Sequence, residues 1–81
     1  MNQKFAKQWA ETERLLRVVL ADVQLQIEPR QTAQVLEYLE HNELGLAHDT
    51  LVYAIEDRQV AVGDDAVTAL DASRVLMGLP G

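Results

Sequence analysis

The spacing of apolar residues near the start of the chain restricts the fold most. Phe5, Trp9, Thr12, Leu16, Val19 and Val23 recur at intervals of three and four. That repeat puts them along one side of an α-helix, whereas a half-buried strand repeats every two residues. Leu15 and Leu20 widen the apolar face, and Glu11, Arg14 and Arg17 fall toward the polar side. A first helix is therefore expected from residue 3 to about residue 23.

The same repeat returns three times, separated by residues that interrupt helices. Pro29 suits a first helical position, because its missing N–H would be unpaired there and its φ is already helical. A second helix is expected from about Glu28 to His41, with Thr32, Val35, Leu36 and Leu39 inward and Glu37 and Glu40 outward. Asn42 tolerates left-handed backbone and can end it. A third helix starts near Glu43 or Leu44, with Leu44, Ala47, His48, Leu51, Ala54 and Ile55 inward and Asp49, Tyr53, Glu56 and Asp57 outward. Val60 and Val62 anchor a short connection. Gly63 or Asp64 then caps a last helix, with Asp64 and Asp65 against its positive end. In that helix the stripe Val67, Leu70, Arg74, Met77 competes with Ala66, Ala69, Ser73, Leu76; the expectation favours Val67, Leu70, Val75 and Leu76 inside. Gly78 and Pro80 stop it. The expected fold is all-α, a compact bundle of about four helices forming a single domain over residues 1–81.

Composition excludes several classes. The longest apolar run, Leu51 to Ile55, is five residues, and a membrane-spanning helix needs roughly 20. Residues 1–13 lack the apolar core of a signal peptide, so the expected location is the cytoplasm. With no cysteine, disulfides, thiolate catalysis and cysteine zinc sites are ruled out. Net charge is −6, and residues 31–60 carry −5 of it, from six acids against one base. Such a surface repels nucleic acid, which needs clustered Lys and Arg, and attracts a basic protein.

No catalytic, cofactor or metal site is expected. His41 and His48 are seven residues apart but divided by the Asn42–Gly45 break, and metal ligands on a helix want spacings of three or four. His48 reads as a hydrogen-bonded residue at the core margin, and His41 as a helix-end residue. Asp64 and Asp65 are neighbours that point in different directions, so they read as helix caps and not as an acid–base pair. Ser73, the only serine, has no glycine-rich elbow. The acidic four-helix profile also invites comparison with acyl carrier proteins, but Asp49-Thr50-Leu51 has threonine where those proteins need the phosphopantetheine-bearing serine.

Residues 37–57, EYLEHNELGLAHDTLVYAIED, contain six acids and no base until Arg58. Tyr38 lies between Glu37 and Glu40, and Tyr53 lies among Asp49, Glu56 and Asp57. A tyrosine amid carboxylates offers apolar area and a hydroxyl to a basic partner, as binding hot spots do; a core ring with its hydroxyl at the surface is the alternative. Trp9 and Phe5 read as core.

Residues 36–57 resemble the central segment of the MafI-type immunity proteins. The match rests on Tyr38, His41, Glu43, Gly45-Leu46-Ala47, Leu51 and Glu56, and continues through Val60-x-Val62 into an acid-led final helix. His48 and Asp49 depart from it, standing where a Leu-Glu type pair is expected. Within the motif, Glu43 would serve the start of the third helix, Gly45 would permit close backbone approach, and Leu46-Ala47 would pack the hairpin. The resemblance implies a small helical protein that neutralises the toxic C-terminal domain of a secreted or contact-dependent bacterial toxin, a basic nuclease such as an RNase fitting the charge. The expected partner-binding residues are Glu37, Tyr38, Glu40, Asp49, Tyr53, Glu56 and Asp57. The chain is expected to act as a monomer without cofactor, nucleic acid or membrane. A helical adaptor working through an apolar groove is the alternative.

Overall fold

The fold is all-α, with four helices among the described residues: α1 (Gln3–Val23), α2 (Pro29–Glu40), α3 (Leu44–Arg58) and α4 (Asp64–Met77). A computed structural model describes residues 3–78, with side chains from Ala6 onward. The parts expected of Phe5 and Pro80 lie outside the described residues. Among the described residues no helix is long and apolar enough to cross a membrane.

Each helix starts and stops for a local reason. Pro29 takes the first position of α2, preceded by Glu28 in extended backbone (φ −71°, ψ 142°). The Glu28 N–H donates to Oε1 of Gln31 at 3.1 Å, one half of a capping box. Asn42 turns left-handed (φ 57°) just beyond α2, and the Glu43 N–H returns to the Tyr38 carbonyl at 2.8 Å. Gly63 precedes α4, whose first turn carries Asp64 and Asp65, the favourable sign for that end of the dipole. Gly78 closes α4 in the left-handed region (φ 71°), where glycine pays no Cβ penalty. Gln59 ends α3 at φ 50° without glycine's help, a stop that nothing in the sequence announced.

The helices pack as two pairs, α1 on α4 and α2 on α3, joined where α1 also meets α3. Polar ties fix the first pair at both ends. The Gln8 side-chain amide donates to the Leu76 carbonyl, and Asp22 accepts from the Gly63 N–H at 2.9 Å. Since the start of α1 meets the end of α4 and the reverse, these two helices run antiparallel. Leu16, Val19, Val23, Val35, Leu39 and Leu51 are the largest fully buried apolar side chains, each contributing roughly 1.5–3 kcal/mol by leaving water. Ile27, in the connection before α2, joins the same core.

The inward faces differ from expectation at several positions. In α4 the alanine-rich stripe faces inward: Ala66, Ala69 and Ser73 are buried, while Val67 is 45% and Val75 78% exposed. Leu70 and Leu76 are partly buried against the core. Small side chains let α4 lie close against α1, and Ser73 satisfies its hydroxyl by donating to the Leu70 carbonyl at 2.7 Å. In α2, Gln31 is buried and Leu36 is exposed; the Gln31 amide is drawn in by the Glu28 N–H. In α3, Ile55 is only half-buried. Trp9, expected in the core, is 48% exposed. Gly45 has nothing within 4 Å of a built Cβ, so no close backbone approach requires glycine there. Leu46, expected to pack the hairpin, is 48% exposed, whereas Ala47 beside it is fully buried.

Candidate functional site

The acidic segment folds into the α2–α3 hairpin, and its register sorts the expected binding residues into groups. On α3, Asp49, Tyr53 and Glu56 are separated by four and three residues, and Asp57 lies four beyond Tyr53. They form one exposed ridge, opposite the buried Leu44, Ala47, His48, Leu51 and Ala54. On α2, Glu37 and Glu40 are three apart and both exposed.

A shallow groove of about 530 Å³ runs between the two helices, lined by Arg30, Gln31, Ala33, Gln34 and Glu37 from α2 and by Thr50 and Tyr53 from α3. The fold thus brings Glu37 and Tyr53 together across the hairpin. Asp49, Glu56 and Asp57 share the ridge with Tyr53 but do not line the groove, and Glu40 sits one turn past Glu37.

The two tyrosines have different surroundings. Tyr53 is 64% exposed. Tyr38 is half-buried against the core, and its hydroxyl accepts from the Gln34 amide at 3.4 Å, the geometry of a core ring with its polar tip at the surface. Of the two, Tyr53 has the area to offer a partner.

The ion pairs show where charge is left uncompensated. Arg14 pairs with Glu11 at 2.7 Å, Arg17 with Glu13 at 2.9 Å, Arg30 with Glu28 at 3.5 Å and Arg74 with Asp71. Among the described residues no ion pair involves Glu37, Glu40, Glu43, Glu56 or Asp57. Most of the arginines are spent on α1, α4 and the start of α2, and the acids of the hairpin keep their field. Arg58 sits in the last turn of α3, where it complements the helix dipole.

His48 is buried at the core margin. Its Nδ1 lies 3.1 Å from Asp49 Oδ1, the geometry of an imidazole N–H donating to the carboxylate, so Asp49 has a positioning contact within the chain. His48 Nε2 and Thr32 Oγ1 are buried with no hydrogen-bond partner among the described residues. His41 is exposed at the C-terminal cap of α2. Among the described residues no group of three or more His, Asp or Glu side chains is placed to hold a metal ion.

Sequence reasoning missed Leu46, Gln34 and Arg30 at this surface. Leu46 is seven residues from Tyr53, two turns along the same ridge, a spacing that could have flagged it. Comparison with protein-family models, curated proteins and solved structures finds no match to this chain.

Proposed function

We propose that the chain is an immunity protein that binds and neutralises a bacterial toxin's C-terminal domain, a basic nuclease and most simply an RNase. The observation that carries this reading is the set of hairpin acids Glu37, Glu40, Glu56 and Asp57, which make no ion pair among the described residues and accompany the exposed Tyr53. A nuclease cleft is basic because it holds a polyanion, and an acidic helical face can cover it. Complementary charge speeds encounter, which matters when a toxin must be silenced before it cuts. The resemblance of residues 36–57 to MafI-type immunity proteins points the same way. In this role the chain works stoichiometrically in the cytoplasm as a monomer.

Glu56→Lys with Asp57→Lys tests the reading against a catalytically silenced toxin domain. The association rate should fall at least about tenfold, and the salt dependence of affinity should flatten. Unchanged affinity and slope would move the interface elsewhere. An adaptor role has one observation in its favour, the half-exposed Trp9 at 48%. Binding through that apolar surface would hold as salt rises, whereas charge-led binding would not.

A further inference from the structure

Building on the binding role proposed above, we infer that the groove between α2 and α3 seats an arginine side chain of the protein partner, with the Tyr53 ring as its wall and the Glu37 carboxylate as its counter-charge. Tyr53 lines the groove while remaining 64% exposed, so a ring face is open to a cation. A guanidinium within about 6 Å of a tyrosine centroid is attracted by the ring's negative face. Glu37 lines the same groove and has no ion pair among the described residues, which leaves a carboxylate to accept the guanidinium fork.

The remaining lining selects for that occupant. The lining mixes the polar side chains of Thr50, Gln31 and Gln34 with apolar surface, which suits a side chain that joins an apolar stem to a charged head. Gln31 is held in place by its bond from the Glu28 N–H at 3.1 Å. Arg30, the one cation in the lining, lies seven positions from Glu37, about 10.5 Å along the helix axis. It also has Glu28 3.5 Å away as its own counter-charge. The groove is therefore electronegative at the Glu37–Tyr53 end. Arginine fits that end better than lysine, because a flat guanidinium can stack on the ring and fork to the carboxylate together. Glu40, Glu56 and Asp57 do not line this groove, so they add to the long-range field that steers a partner without taking part in this seat.

The test needs no toxin. The chain, labelled with nitrogen-15, is titrated with an acetylated and amidated Gly-Arg-Gly peptide and, separately, with its citrulline counterpart, while amide resonances are followed by NMR. Saturable shifts centred on Glu37, Gln34 and Tyr53 are expected with arginine and not with citrulline. Tyr53→Ala should weaken the response about fivefold, the equivalent of roughly 1 kcal/mol. Tyr53→Phe should keep it, and Glu37→Gln should abolish its preference for arginine. Both positions are exposed, so circular dichroism should show the variants folded. Shifts of equal size with citrulline, or spread evenly over Glu40, Glu56 and Asp57, would overturn the inference. A normal arginine response in a chain that neutralises no toxin would remove the toxin reading and leave the seat. Neutralisation without that response would do the reverse.

Discussion

The inward face of α4 yields the sharpest stability prediction, because it reverses the choice that hydrophobicity alone would make. Ala69 is 5% exposed in the contact with α1, and Val75 is 78% exposed. Ala69→Leu adds three carbon atoms where two helices already lie close, and overpacking of that kind costs roughly 1–3 kcal/mol. Val75→Ala removes two methyl groups that are mostly in water, and alanine's better helix propensity offsets the little that was buried. The net change should stay within about 0.5 kcal/mol. Had Val75 been in the core, the same change would remove two methyl groups at about 0.8 kcal/mol each and leave a cavity besides. Urea unfolding followed at 222 nm separates the cases, since a domain this size has about 4–12 kcal/mol in total. In thermal melts, each kcal/mol corresponds to a shift of roughly 4–8 °C. A neutral Ala69→Leu, or a Val75→Ala that costs more than about 1.5 kcal/mol, would refute the small-residue packing of α1 against α4.

Three further outcomes are expected. Leu16→Ala, at a position with no exposure, should cost roughly 2–5 kcal/mol in the same unfolding assay. Asp22→Ala removes the acceptor of the Gly63 N–H and should cost about 1 kcal/mol; amide exchange would show the loss as faster exchange in the first turn of α4. The Arg14 guanidinium beside Glu11, chiefly through its hydrogen bond, holds that carboxyl below the ordinary glutamate range; desolvation opposes this, and the arginine's charge adds a smaller lowering. A depressed carboxylate adds stability above its unfolded pKa and loses it as pH falls through the folded value. Arg14→Ala should therefore move the Glu11 titration, read by carbon-13 NMR, upward toward the ordinary value, and an unmoved titration would contradict the pairing.

Much of the fold was legible because the interruptions are local. Pro29, Asn42 and Gly78 act through their own backbone preferences, so the start and end of α2 and the end of α4 could be read from single residues, whereas the end of α3 at Gln59 could not. The face of α4 was less legible. Its inward stripe depends on how closely α1 approaches, a property of two helices together, and the more apolar Val67 and Val75 drew the reading outward. The burial of Gln31 was not legible for a similar reason, since it accompanies a reach back to the Glu28 N–H. At the candidate site, the exposure of Asp49, Tyr53, Glu56 and Asp57 followed from helical register. The meeting of Glu37 with Tyr53 depends on how α2 and α3 lie side by side, and the different surroundings of Tyr38 and Tyr53 emerge only once the hairpin is packed.

The most direct test of the central claim is growth of cells expressing the C-terminal domain of the protein encoded immediately upstream, with and without this chain. The account predicts arrest that this chain relieves, with degraded RNA in the arrested cells and relief lost when Glu56 and Asp57 are both changed to lysine. A neighbour that arrests growth whether or not the chain is present, or one that is harmless, would contradict it.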